Sequence, residues 1–189
     1  MARFWTHIVL AVVLTASAAL PAVAEDAFDA ARTEGTHLLM RHAAAPGTGD
    51  PASFTLGDCS TQRNLSEAGR EQAERIGRKL KDEAVAIDVV LTSRWCRARD
   101  TADRLSFSPV EDEPALNSFF SGRGDREAQT EALKRRIAEL DAAGRKAALV
   151  THQVNVTALT GVYPSSGEIV VIRLDADGEV TVAGRIETR

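Results

Sequence analysis

Thr36-His37-Leu38-Leu39-Met40-Arg41-His42 is the stretch on which the fold turns. Its apolar run ends abruptly in two basic side chains, and the arrangement recurs twice. Ile87 to Thr92, rich in β-branched residues, ends at Ser93-Arg94, and Ala147 to Thr151 ends at His152. Short apolar runs bounded by polar residues fit strands buried on both faces of a parallel sheet.

Helical patterns separate these runs. Ser66 is a suitable N-cap, Glu67, Glu71 and Glu74 favour the early turns, and Ala73, Ile76, Gly77 and Leu80 follow at helical spacing. The spacing predicts a helix over about residues 66–83. Ala98, Ala102 and Leu105 predict another over 97–105, and Leu133, Ile137 and Leu140 a third over 127–143. A short helix from His152 through Leu159 stops at Gly161. Glu168 to Leu174 and Glu179 to Ile186 read as two strands joined by the turn Asp175-Ala176-Asp177-Gly178. Strand alternating with helix indicates an α/β three-layer sandwich, with a mainly parallel central sheet flanked by helices. In such folds ligands bind beyond the carboxyl ends of the strands. Those ends carry Arg41-His42, Ser93-Arg94 and His152.

The first 24 of the 189 residues read as an export signal. Arg3 and His7 form a weakly basic start, Ile8 to Leu20 is apolar, and Ala22-Val23-Ala24 gives a small-x-small cleavage pattern. The apolar run is shorter than the roughly 20 residues of a membrane-crossing helix, so no stable insertion is expected after cleavage. Residues 25–189 then form one domain, placed in the periplasm or secreted. Losing Arg3 leaves 22 Lys plus Arg against 27 Asp plus Glu, a net charge of −5. That balance gives no support to a nucleic-acid partner or an anionic membrane surface.

Outside the leader the chain has three histidines, His37, His42 and His152. An imidazole at a strand end is a nucleophile, a general base, a metal ligand or simply a structural hydrogen-bonding group. Arg41 beside His42 favours anion recognition, because a guanidinium offers a fork of donors and stays charged. A metal site fits poorly. No His-x-x-His or Cys-x-x-Cys spacing exists, and Arg41 and Arg97 would repel a cation. The Gly-x-Ser-x-Gly elbow and the Gly-rich Lys phosphate loop are absent as well.

Four segments together resemble the histidine phosphatase superfamily, also called phosphoglycerate mutase-like. Leu38-Leu39-Met40-Arg41-His42-Ala43 is similar to its strand plus Arg-His-Gly signature, with Ala43 in place of Gly. Leu65 to Ala73 matches L-[ST]-x-x-G-x-x-Q-A, Ser93 to Ala102 matches S-x-x-x-R-A-x-x-T-A, and Val150-Thr151-His152 resembles the strand bearing the second histidine. The resemblance implies the phosphoglycerate mutase-like fold and a phosphomonoester hydrolase that needs no cofactor. His42 would accept the phosphoryl group, with Arg41, Arg97 and His152 as the other catalytic and substrate-binding residues. The implied substrate is a small phosphorylated metabolite or an envelope sugar phosphate. A phosphohistidine phosphatase and a non-catalytic phosphate-binding or interaction module on the same fold are the alternatives.

The sequence departs from the family at the acid that protonates the leaving group. Ser118 stands where many relatives carry Glu, and Gln153 follows His152 where one branch carries Asp. Glu113, Asp125 and Glu127 are the candidate donors by proximity in sequence. His37, at the start of its strand, is expected to be structural, and Arg94 to be solvated. Gln153 and Asn155 are either substrate contacts or ordinary first-turn helix residues. The loop from Ala44 to Thr61 is expected to shape one pocket wall. Cys59 and Cys96 both lie near motifs that meet at the site, and an exported chain encounters oxidising conditions, so a disulfide between them is expected.

Overall fold

Each of the five apolar runs contributes a strand to one six-stranded sheet in a computed structural model that describes residues 27–188. The export signal and its cleavage point lie outside the described residues. Among the described residues, no helix is long and apolar enough to cross a membrane.

In chain order the main elements are α1 (Ala27–Arg32), β1 (His37–Arg41), α2 (Glu67–Asp82), β2 (Val89–Thr92), α3 (Cys96–Arg104) and β3 (Val110–Asp112). There follow α4 (Arg126–Ala142), β4 (Ala147–Thr151), α5 (Gln153–Thr160), β5 (Ile169–Leu174) and β6 (Val180–Ile186). The sheet order is β3-β2-β4-β1-β5-β6. The first four strands in that order are parallel, while β5 and β6 run antiparallel to their neighbours.

Alternate side chains of each strand enter two different cores, as the period of 2 requires. Leu38, Met40, Val90, Ala148 and Val150 pack with Ile76 and Leu80 of α2 and with Ala98 and Ala102 of α3. Leu39, Val89, Leu91, Ala147 and Leu149 pack on the other side with Leu133, Ile137 and Leu140 of α4 and Val156 of α5. Burying a Val, Leu or Ile contributes roughly 1.5–3 kcal/mol. A central strand covered on both faces therefore selects an unbroken apolar run.

Two elements had no sequence signal. The six residues of α1 bury only Ala30 and Ala31, too few for a readable helical period. The edge strand β3 has one apolar residue, Val110, followed by exposed Glu111 and Asp112, which suit an edge that must stay unpaired. The second strand also starts at Val89 rather than Ile87, because the Asp88 carboxylate leaves the ladder to accept the Lys146 N–H at 2.7 Å.

The start of α2 holds the chain that follows His42. The Ser66 N–H donates to the Ala44 carbonyl at 3.1 Å, and its hydroxyl caps the helix by accepting the Gly69 N–H at 3.1 Å. Gln72 accepts the Ala44 N–H at 3.0 Å and donates to the Ser166 carbonyl at 2.9 Å. A Cβ on Gly69 would lie 2.0 Å from the Ala44 oxygen, so only glycine allows this approach. The spacing Ser66, Gly69, Gln72 is therefore a docking surface for residues 43 and 44.

Candidate active site

The parallel strands bring three distant segments to one level. The His42 N–H donates to the Thr151 carbonyl at 2.9 Å, and the Ser93 N–H to the Val150 carbonyl at 3.0 Å. Beyond these strand ends lies a cavity of about 150 Å³ walled by Arg41, His42, Arg97 and His152. Gly47, Thr48 and Gly49 form another wall, as expected for part of the loop after β1.

His42 is held in one tautomer. Its Nδ1 lies 2.8 Å from the Ala43 carbonyl, which can only accept, so Nδ1 carries the proton and Nε2 the lone pair. Ala43 fits here because it is not among the residues with positive φ, so the position does not require glycine. Its own N–H donates to Thr101 Oγ1 at 3.1 Å. Nε2 of His42 accepts from Nε of Arg97 at 3.2 Å. Burial first, then the Arg97 charge, pushes the His42 pKa down to about 3, so the ring is neutral at pH 7. A neutral imidazole whose unprotonated Nε2 lies at a cavity wall has the electronic state of a nucleophile once a phosphoryl group takes over the Arg97 N–H.

The second histidine is anchored through Ser93. His152 Nε2 lies 2.8 Å from Ser93 Oγ, whose hydroxyl also lies within donating distance of Asn117 Oδ1 at 3.3 Å. Nδ1 of the ring is buried and, among the described residues, has no hydrogen-bond partner. Burial, and then the neighbouring His42 and Arg97, hold the His152 pKa well below the ordinary histidine value. The two rings are 5.4 Å apart.

Arg97 is aimed from behind. Its guanidinium forks onto Asp50 at 2.7 and 3.3 Å, and both side chains are only 4% exposed. Asp50 also accepts the Arg63 N–H and the Trp95 indole N–H, each at 3.1 Å. Burial alone would raise the Asp50 pKa, but these bonds and the Arg97 charge outweigh it and hold the carboxyl below its usual value. Arg63 donates to the carbonyls of Gly49, at 2.9 Å, and Ala45. Burial, then Arg97, lowers its pKa to about 10, so it stays a cation at neutral pH. Arg41 donates to the Pro164 carbonyl at 2.9 Å, while its Nε has no partner among the described residues. Three guanidinium charges less one carboxylate leave two positive charges, the complement of a phosphoryl dianion.

Cys59 and Cys96 are joined in a disulfide with a Cα separation of 5.7 Å. The bridge fastens the loop after β1 to the first turn of α3, one residue before Arg97. Among the described residues, no group of three or more His, Cys, Asp or Glu is placed to hold a metal ion.

The model of the histidine phosphatase superfamily (branch 1) matches residues 37–153, more than half of the chain, with Arg41, His42, Arg97 and His152 among them. The chain belongs to the histidine phosphatase superfamily. No curated protein matches it. Solved structures share its fold. The protein histidine phosphatase SixA complexed with tungstate is 22% identical with a TM-score of 0.58, covering 81% of this chain and 97% of that one. A mutant phosphoserine phosphatase from Entamoeba histolytica with phosphoserine is 12% identical with a TM-score of 0.59, covering 82% and 98%. A mycobacterial glucosyl-3-phosphoglycerate phosphatase is 16% identical with a TM-score of 0.58, covering 78% and 93%.

The fold brings Arg41, His42, Arg97 and His152 together at one cavity, and places His37 and Arg94 outside it. His37 spans β1 and α4: its Nε2 donates to Asp141 at 3.0 Å and its Nδ1 accepts the Ala147 N–H at 3.2 Å. Arg94 is exposed, with its Nε 3.8 Å from Asp112. Asn155 donates to the Asn117 carbonyl at 2.8 Å, and Gln153 lines the cavity while its amide donates to Thr157.

None of the three candidate proton donors reaches the cavity. Glu113 caps a short turn through the Ala115 N–H, Asp125 caps α4 through the Ala128 N–H, and Glu127 is an exposed first-turn residue of α4. Their carboxylates serve the helix ends that sequence proximity disguised. Among the described residues, no carboxylate lines the cavity. Asp50 and Arg63 were missed. Asp50 carries no signal, being one acid in an irregular loop, whereas Arg63 was detectable only by its nearness to the Leu65 to Ala73 motif.

Proposed function

We propose that this protein is a phosphatase that works through a phosphohistidine at His42, on a small phosphorylated metabolite. The observation that carries the reading is the His42 tautomer: Nδ1 is tied to the Ala43 carbonyl, and neutral Nε2 faces a cavity with a net double positive charge. Nε2 attacks phosphorus, the bond from phosphorus to the leaving group breaks, and its electron pair departs with that group. Arg41, Arg97 and His152 take the equatorial oxygens, which supplies positioning and electrostatic stabilisation. Water then attacks the phosphohistidine, releasing phosphate and restoring neutral His42. No step calls on a cofactor.

The lack of a carboxylate in the cavity wall favours a more specific second reading. Without a donor, a sugar or other alkyl leaving group would depart as an unprotonated alkoxide. Phosphohistidine or acyl phosphate, whose leaving groups are better, suits this cavity. A non-catalytic module is less well supported, since phosphate binding alone has no use for an unprotonated His42 at the wall. The Cys59–Cys96 bridge is consistent with work in an oxidising compartment such as the periplasm.

The test is hydrolysis of para-nitrophenyl phosphate by the protein and by His42→Ala, with and without chelator, together with acid-labile phosphoryl labelling of His42. Chelator-resistant turnover and labelling that both vanish in the variant support the reading. Phosphate binding without turnover or label across the pH range moves the conclusion to the non-catalytic module.

A further inference from the structure

The described residues expose three large hydrophobic side chains, Phe120 at 43%, Tyr163 at 72% and Val182 at 41%. Two of the three, Phe120 and Tyr163, line the phosphate cavity. They come from separate segments, one following the 3-10 turn after β3 and the other following α5, and each is tied to the site by its backbone. The Phe120 N–H donates to Ser118 Oγ at 3.3 Å, and Ser118 itself lines the cavity. Ser121, the next residue, sits at φ 57°, a strained value for a residue that is not glycine. The adjoining Asn117 carbonyl is held by Gln129 at 2.7 Å and by Asn155 at 2.8 Å. On the other segment, Tyr163 precedes Pro164, whose carbonyl accepts from Arg41.

An aromatic ring left in water at the wall of a cationic cavity gains by covering its face with another flat apolar group. With the phosphoryl end of a substrate held among Arg41, Arg97 and His152, the leaving group extends along a cavity wall to which both rings contribute. The missing carboxylate points the same way. A phenolate delocalises the departing charge, and an imidazole protonated on its other nitrogen departs as a neutral ring, so neither needs a proton from the cavity at the moment of cleavage.

We infer that Phe120 and Tyr163 are specificity residues, which select substrates whose phosphoryl group is carried on a planar, delocalised ring such as a phenol or an imidazole. This rests on the phosphatase reading above and narrows its substrate class. In the transfer, the bond from phosphorus to the ring heteroatom breaks as Nε2 of His42 bonds to phosphorus. The electron pair passes to the ring atom: a phenolate later takes a proton from water, whereas an imidazole that carries a proton on its other nitrogen leaves as the neutral ring.

Phosphonates test the inference independently of turnover, because their phosphorus–carbon bond is not a substrate for transfer to His42. Binding of phenylphosphonate and methylphosphonate to the purified protein is measured by calorimetry, beside Phe120→Ala, Tyr163→Ala, Tyr163→Phe and the double alanine variant. Each ring contact is expected to favour the phenyl ligand by a factor of about two to ten. The wild-type preference should reach about tenfold, approach unity in the double alanine variant and persist in Tyr163→Phe. Equal affinities in the wild type overturn the inference, and so does a Tyr163→Phe variant that loses as much preference as Tyr163→Ala. Failure of the phosphatase reading shows separately, as absence of the phosphoryl label on His42.

Discussion

Breaking the Cys59–Cys96 bridge should damage both stability and phosphate binding. The bridge spans 37 residues of sequence. Restricting an unfolded chain by a loop of that length is worth about 4 kcal/mol in the chain-entropy account. For a domain of this size, that corresponds to a fall in melting temperature of roughly 10 °C. The closed loop also contains Asp50's neighbour in the site, Arg63, and Cys96 adjoins Arg97. Release therefore loosens the scaffold around the Asp50–Arg97 fork as well as the unfolded-state restraint. The assay is calorimetric melting of oxidised protein, reduced protein and the Cys59→Ser, Cys96→Ser double variant, with phosphate affinity measured on each. A midpoint that moves by less than about 2 °C, far below the loop-entropy value, with unchanged phosphate Kd and reduction verified by mass, would refute the argument. It would mean that Gln62 on the Cys96 N–H and Asp50 on Arg97 hold the loop unaided.

Asp50→Asn should destabilise the fold by about 3 kcal/mol and lower kcat at least about tenfold, since Arg97 becomes a buried charge without an anionic partner and loses its aim at His42. Melting together with steady-state kinetics checks this, and a variant of normal stability and kcat contradicts it. Acid should weaken the fold from near pH 6.5 downward: His42 is neutral in the folded state down to about pH 3, whereas an unfolded histidine protonates near 6.5. Its contribution is fully present above pH 6.5 and is lost as pH falls toward 3, amounting to about 3 kcal/mol at pH 4.5. Urea unfolding at pH 7 and 4.5 reads the loss, which His42→Asn should reduce. Gly69→Ala pits about 1 kcal/mol of helix propensity against collision of the new Cβ with the Ala44 oxygen at 2.0 Å. A net loss of about 1–3 kcal/mol is expected by urea titration, and a stabilised variant would show that α2 does not need that approach.

Much of the active site was legible because its parts sit at the ends of recognisable elements. Arg41, His42 and His152 follow apolar runs, and Arg97 opens a helix whose Ala98 and Ala102 mark its buried face. The sheet then needs only its parallel register to bring those ends to one level. The motif Ser66, Gly69, Gln72 was visible as spacing, but its purpose was not, since the partner is a backbone carbonyl at Ala44.

The sequence by itself determined the alternation of strand and helix, the apolar strands and the positions of both histidines, since period and local capping are properties of neighbours along the chain. Only the tertiary structure decided which acid matters. Glu113, Asp125 and Asp50 look alike as letters, yet the first two cap local turns, while Asp50 crosses 47 positions of sequence to meet Arg97 in a nearly dry pocket. The contact of His152 with Ser93, and the meeting of Phe120 with Tyr163 at one cavity, depend in the same way on bringing distant segments together. A carboxylate's role is set by the groups that desolvate it and donate to it, and the folded chain chooses those groups.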